Sequence, residues 1–275
     1  MTSTTIARAW SVTRADGMVV GLTDHDQPLH FNGIDFRPDS GMSARAIVQG
    51  AGLSVDNSEA AGILSHDAIS EPDLIAGRWD GAEVMLWELN WQQPSAGARL
   101  IFRGSLGEIT RVGSQFKADL RGLSEPLGKA QGRVYHPRCS AQLGDAQCRI
   151  DLDDPRFGLN AKVEIAEEGR VFTWKALNTF DDRWFERGVL RVEGGTAKGL
   201  SGTIKNDRLD ASGARRIELW LPLGAMPETG DAVRLIAGCD KRGPTCRLKF
   251  DNYLNFRGFP HLPSEEWLVA PRVER

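Results

Sequence analysis

The sequence carries no strong excess of either charge, no long apolar run and only four cysteines. With 34 basic and 37 acidic residues the formal net charge is −3. The basic excess or basic run that marks a nucleic-acid footprint is therefore missing. Any contact with DNA is limited to a local patch or a smooth channel wall. No stretch approaches the roughly 20 apolar residues that a membrane-spanning helix needs, so membrane insertion is not expected. The opening MTSTTIARAW has neither the basic region nor the apolar core of a signal peptide. The expectation is a soluble protein made in a reducing bacterial cytoplasm. The chain also lacks a G-x-S-x-G elbow, a P-loop and an H-E-x-x-H pair. Neither a dinucleotide fingerprint nor a three-cysteine radical motif is found, and there is no low-complexity stretch or long repeat.

What is present reads as β structure. The chain has 275 residues, of which 41% are hydrophobic and 26% charged, enough for two domains with real cores. Asp16-Gly17 separates Trp10–Arg14 from Met18–Leu22, and Asn32-Gly33 separates Leu29–Phe31 from Ile34–Phe36. Such pairs tolerate the positive φ of tight hairpin turns. Further strands are expected over Glu83–Trp91, Ala98–Arg103, Gly107–Val112 and Phe116–Leu120, with a turn at Gly113-Ser114-Gln115. After an irregular stretch from Arg133 to Phe157, strands resume. They are expected at Lys162–Ala166, Val171–Lys175, Gly188–Glu193, Gly202–Asn206, Arg216–Leu221 and Ala232–Ile236. Short helices are expected after Ser70 and Ser124, where a capping serine precedes Glu and Pro, and near Cys246. The fold class is mainly β: two antiparallel modules, barrel- or sandwich-like, with short helices, joined at a four-cysteine metal centre. The divisions are an N-terminal β domain over 1–130, a first cysteine segment over 131–159, an inserted β module over 160–237, and a second cysteine segment with a C-terminal arm over 238–275. The arm carries Phe250, Tyr253, Phe256, Phe259 and Trp267 among prolines, a mix suited to packing on a surface.

The cysteines form two pairs, Cys139-x8-Cys148 and Cys239-x6-Cys246. In a reducing compartment disulfides are disfavoured, and thiolates select zinc or iron–sulfur centres over magnesium or calcium. Zinc ribbons use x2 to x4 within a pair; these gaps are longer and suit the wider spread of a cubane. Arg138, Arg149, Lys241, Arg242 and Arg247 crowd the ligands. They would favour thiolates around either zinc or a cluster. Four buried free cysteines and two disulfides are the competing readings. Because the pairs bracket the module 160–237, one shared centre would clamp its two ends together.

Two runs, YHPRCSAQLGDAQCRIDL at Cys139 and GCDKRGPTCRLKFDNYLNFRGFPHLP at Cys239, resemble the tail hub proteins of gene transfer agents and related siphophages. The N-terminal WSVTRADGMVVGLTDHDQPL is similar to the same family. A more distant likeness is to the tail-tip protein L of lambda-like phages, an iron–sulfur protein, although the β insert between the cysteine pairs departs from that version. The resemblance implies that Cys139, Cys148, Cys239 and Cys246 ligate a [4Fe-4S] cluster, with zinc as the alternative. It also implies a structural, non-enzymatic hub domain at the N-terminus and a homotrimeric ring in the tail tip or baseplate of a virion. The ring would lie between the distal tail protein ring and the central fibre-bearing protein, with DNA passing through without sequence-specific contact.

Other candidates have plainer explanations. Asp24-His25-Asp26 is a metal or acid–base cluster, or a solvated loop before Pro28; the loop is preferred. His66-Asp67 reads as a turn. His136 and His261 flank the cysteine segments and could replace a cysteine ligand. Gly194-Gly195, Gly199 and Gly202 resemble a phosphate loop only loosely and fit strand turns better. Trp87 and Trp91 share a strand face, which suits core or interface more than a sugar platform. Against the structural reading stand an iron–sulfur redox enzyme and a zinc-stabilised carbohydrate-binding tail module.

Overall fold

The computed structural model describes residues 5–38, 57–58, 69–112, 115–123 and 132–262. The chain divides into two compact units, Met1–Gln131 and Gly132–Arg275. It is mainly β, as the alternation and turn signals lead one to expect. No helix among the described residues is long and apolar enough to cross a membrane.

The first unit holds β1 (Ile6–Thr13), β2 (Val19–Thr23), β3 (Leu29–Phe31), β4 (Ile34–Pro38), β5 (Asn57–Ser58), β6 (Glu83–Asn90), β7 (Ala98–Val112) and β8 (Gln115–Gly122). They form one eight-stranded sheet in the order β3-β4-β2-β1-β6-β7-β8-β5. The β1–β2 hairpin closes at Asp16-Gly17, with Gly17 at φ 88°. The β3–β4 hairpin closes at Asn32-Gly33, with φ of 52° and 74°. Those positive angles are why Asn and Gly occupy the turn. Helix α1 (Glu71–Ile75) starts at Ser70, whose side chain accepts the Asp73 N–H. It thereby satisfies one of the helix's orphan donors. The expected Ser124 helix, the Gly113-Ser114 part of a turn, His66-Asp67, Pro263, Trp267 and Pro271 lie outside the described residues.

Period-two alternation buries both faces of the central strands. Trp10 and Val12 of β1 join Val84 and Leu86 of β6 in one core. Ala7 and Ala9 join Trp87 and Leu89 in another, with Phe31 and Phe36. Trp87 is thus core, its ring edge-on to Phe31 and Phe36 at 5.6 and 5.8 Å.

Two expectations for this unit need correction. Ala98–Arg103 and Gly107–Val112 are one continuous strand, β7. Gly104 and Gly107 sit inside it because a side chain there would run into Arg121 of β8 and the Phe102 ring. The sheet is also not wholly antiparallel. β4 slots between β3 and β2 and runs parallel to β2, with Gly21 opposite Phe36. The hairpin turn dictates only the β3–β4 pairing and leaves open which edge meets β2.

The second unit holds β9 (Gly158–Lys162), β10 (Ile165–Glu167), β11 (Val171–Trp174), β12 (Val189–Val192), β13 (Ser201–Leu209), β14 (Arg215–Leu219), β15 (Ala232–Ile236) and helix α2 (Gly243–Leu248). Their order is β10-β11-β14-β13-β12-β15-β9. The two ends of that order, β9 and β10, are joined only by Val163 and Glu164. The sheet therefore has to curl until its edges meet, which gives a barrel-like shape. The expected single strand Lys162–Ala166 is split at this corner, where the buried Val163 donates to Asp231 O and accepts from Gly230 N. Phe172, Trp174, Leu190, Val192, Ile204, Ile217, Leu219, Val233 and Leu235 fill the interior at alternate positions. Each such burial stabilises by about 1.5–3 kcal/mol before entropy is counted. A smaller core of Phe157, Ala237 and Phe250 packs with Leu143, Ile150, Trp184 and Cys239 under the barrel.

Candidate metal centre

All four cysteines belong to the second unit, and all four are unpaired and partly buried. Cys139 and Cys148 lie in the irregular segment before β9, Cys239 follows β15 at once, and Cys246 sits inside α2. Hydrogen bonds draw these pieces together. Cys139 N–H donates to Lys241 O at 2.8 Å, and Cys246 N–H to Arg242 O at 3.0 Å. Asp145 holds the loop between the first pair. Its carboxylate accepts the N–H groups of Gln142, Gln147 and Cys148 at 2.8, 2.9 and 2.6 Å. Those bonds, the one from Cys148 foremost, hold its pKa below the ordinary carboxylate value.

Asn252 joins the two segments. Its side-chain amide donates to Cys148 O at 2.6 Å and approaches Cys148 Sγ at 3.7 Å, while its backbone N–H donates to Cys246 O at 3.0 Å. Arg257 N–H points at Cys139 Sγ from 3.4 Å. The four thiols line one small cavity of about 20 Å³, together with Leu143, Ile150, Phe250 and Phe256. Its lining holds no carboxylate and no imidazole among the described residues. Burial pushes the Cys239 thiol up and the Cys246 thiol up to about 11. For Cys246 the neighbouring Cys139, Cys239 and Cys148 add to the rise. Four thiolates crowded there repel one another unless a cation sits among them.

No group of three or more His, Cys, Asp or Glu among the described residues is arranged to hold a metal ion as it stands. Even so, the donor set fits a thiolate-bound centre: four soft sulfurs, with amide N–H groups aimed at two of them. Of the nearby cations, Lys241 and Arg242 line the cavity. Arg247 instead covers the Tyr253 ring at 4.4 Å, and Arg138 and Arg149 are exposed.

Among the described residues no histidine lines the cavity. His136 accepts the Arg138 N–H in a local turn, and His261 is exposed. His25 bonds within its own loop to Gln27 and lies against the Trp91 ring, tilted by 35° at 4.7 Å, while Asp24 accepts Arg8 N–H. That is the solvated-loop arrangement. Asn252, Arg257 and Asp145 are the residues that sequence reasoning missed. All three lie within the two cysteine runs, Asp145 between the first pair and Asn252 and Arg257 just after the second, but nothing local marks them as supports of the ligands.

Comparison with known proteins agrees with the resemblance carried by the two cysteine runs. Residues 1–151 match the family model described as baseplate hub protein, N-terminal attachment domain. Residues 183–266 match the family described as phage conserved hypothetical protein BR0599. A chain of the solved structure titled "Virion of native gene transfer agent (GTA) particle" is 55% identical, with a TM-score of 0.89. The match covers 100% of this chain and 94% of that one. No curated protein matches. The chain is therefore of the phage-baseplate class. It belongs to the baseplate hub protein family defined by the N-terminal attachment domain.

Proposed function

We propose that this chain is a structural tail hub protein of a gene-transfer-agent-like particle. It would assemble as a homotrimeric ring around the DNA channel, between the distal tail protein ring and the central fibre-bearing protein. Cys139, Cys148, Cys239 and Cys246 would hold a structural [4Fe-4S] cluster. The observation that carries the assembly reading is the 55% identity over the whole chain to a component of a native gene transfer agent virion. That similarity supports a structural role rather than catalysis. The near balance of 34 basic and 37 acidic residues suits a channel wall past which DNA slides.

For the centre, the support is four thiols lining one cavity, amide groups directed at two of the sulfurs, and pair gaps wider than zinc ribbons use. When bound, the group supplies cross-links that turn metal affinity into folding free energy. The chain's own part is to orient the ligands. Asp145 shapes the Cys139–Cys148 loop, Asn252 bridges Cys148 to Cys246, and the small core of Phe157, Ala237 and Phe250 keeps water from one side.

Cryo-electron microscopy of the particle tests the assembly; density for this chain away from the tail tip would overturn it. Anaerobically purified protein should be brown, with about four irons and four sulfides per chain. A colourless protein with a single zinc would replace the cluster and keep the cross-link.

A further inference from the structure

Lys249 lies at the C-terminal cap of α2, the helix that carries Cys246. Its side chain is partly buried. It donates to Trp184 O at 2.5 Å and to Gly238 O at 2.9 Å, and sits 4.4 Å over the Trp184 ring and 5.4 Å from the Phe250 ring. Gly238 is the residue before Cys239. One side chain thus ties together the helix of one ligand, the backbone leading to another, and a loop of the barrel.

That loop is a firm anchor. Arg215, from β14, donates to the carbonyls of Leu177, Phe180 and Asp181, and Asp207, from β13, accepts Phe185 N–H at 2.8 Å. Gly238 N–H donates to Trp184 O at 3.0 Å, so this carbonyl takes both Gly238 and Lys249. A side chain at Gly238 would collide with Glu186 O. The barrel loop and the backbone before Cys239 are therefore in direct main-chain contact.

We infer that Lys249 is the positioning residue of the cysteine centre, setting the spacing of Cys239 and Cys246 by fastening both to the barrel loop at Trp184. The inference rests on the proposed metal-binding role of the cysteines but concerns the chain's own geometry. Nothing else among the described residues links α2 to both Trp184 and Gly238 through one polar group. Charge-assisted bonds of this kind are stronger than neutral ones. Groups that orient ligands from behind commonly govern metal retention.

The test uses the full chain, with and without iron, as wild type, Lys249→Met and Lys249→Arg. Methionine keeps an unbranched apolar stem against the Trp184 and Phe250 rings and removes the donors; arginine keeps donors. In the metal-free chain, amide exchange over 238–249 should be roughly tenfold faster in Lys249→Met, with β12–β14 unchanged. In the iron-loaded chain, iron loss to a chelator should be about tenfold faster or more. Lys249→Arg should recover part of both. Wild-type exchange in Lys249→Met overturns the inference, as does exchange that quickens equally through the barrel. If wild type takes up no iron but exchange over 238–249 quickens in Lys249→Met as described, Lys249 keeps its role and the cluster is overturned. Should Lys249→Met fail to fold, Lys249→Arg decides. Exchange in that variant quickened only over 238–249 supports the inference, and quickening throughout or nowhere overturns it.

Discussion

Asp207 and Arg215 face each other inside the barrel with neither side chain exposed. Arg215 Nη1 lies 3.0 and 2.8 Å from the two carboxylate oxygens. Burial pushes the Asp207 carboxyl up, while the Phe185 N–H and the guanidinium pull it down. The remaining guanidinium donors cap loop carbonyls, so the pair is fully satisfied. Removing one partner leaves a buried charge alone, which costs about 3–5 kcal/mol. Arg215→Met and Asp207→Leu are each expected to lose that much in urea denaturation of the full chain. Wild-type stability for either would show that the pair is decorative.

Gly238 is expected to be the least replaceable glycine near the cysteines. A Cβ there has no room beside Glu186 O and lies 2.8 Å from Gly188 N, both backbone atoms that cannot swing aside. Gly238→Ala should cost about 3 kcal/mol or more through overpacking. By contrast Gly17→Ala, whose added Cβ would meet nothing, should lose only what a positive φ demands, about 1 kcal/mol. Thermal unfolding of the two variants side by side checks the ranking.

The sequence was most legible where chemistry is local. Both hairpins and the Ser70 cap depend on residues within a few positions of one another, and they stand where turn and capping rules put them. Glycines misled where their reason was distant: Gly104 and Gly107 mark close approach to Arg121, not a turn. The β2–β4 pairing was illegible because no local signal names a partner edge. The cysteine spacing named four thiols, yet the residues that hold their backbone were hidden by separation. Lys249 meets Trp184 across 65 positions, and Asn252 meets Cys148 across 104.

Glu218 should give the barrel a sharp acid limb. Its carboxylate accepts from Lys205 at 2.9 Å, Asn206 at 2.8 Å and Arg170 at 3.0 Å, joining β13, β14 and the turn before β11. The Lys205 bond, then the Asn206 bond, lower its pKa to about 2. A carboxylate with a depressed folded pKa contributes stability that is full above the unfolded value. That contribution is lost as pH falls toward the folded value. The stability gap between wild type and Glu218→Gln should therefore be constant above about pH 4.5 and close between there and about pH 2. A gap that stays constant down to pH 2 would falsify this assignment.

Metal uptake should be coupled to proton release, to which Cys246 and Cys239 both contribute. Its thiol is pushed up to about 11 by burial and by the three neighbouring cysteines, and burial raises Cys239 as well. At neutral pH both are thiols in the metal-free chain, and Cys246 Sγ is placed to donate to Asn252 O at 3.3 Å. A thiol that becomes a metal ligand gives up its proton, so loading should release at least two protons per chain, one from each of these residues. Calorimetry of zinc or ferrous uptake in two buffers of different ionisation heat measures that number, and a value below two contradicts the picture. The sign follows: apparent metal affinity weakens as pH falls, because protons compete for the same sulfurs. In the metal-free chain, alkylation of Cys246 should quicken about tenfold per pH unit above neutrality and level off near pH 11. With metal bound, the same thiol should resist alkylation throughout. Cys246→Ser removes the thiol with the highest proton demand, so any residual metal binding in that variant should depend less steeply on pH than in wild type.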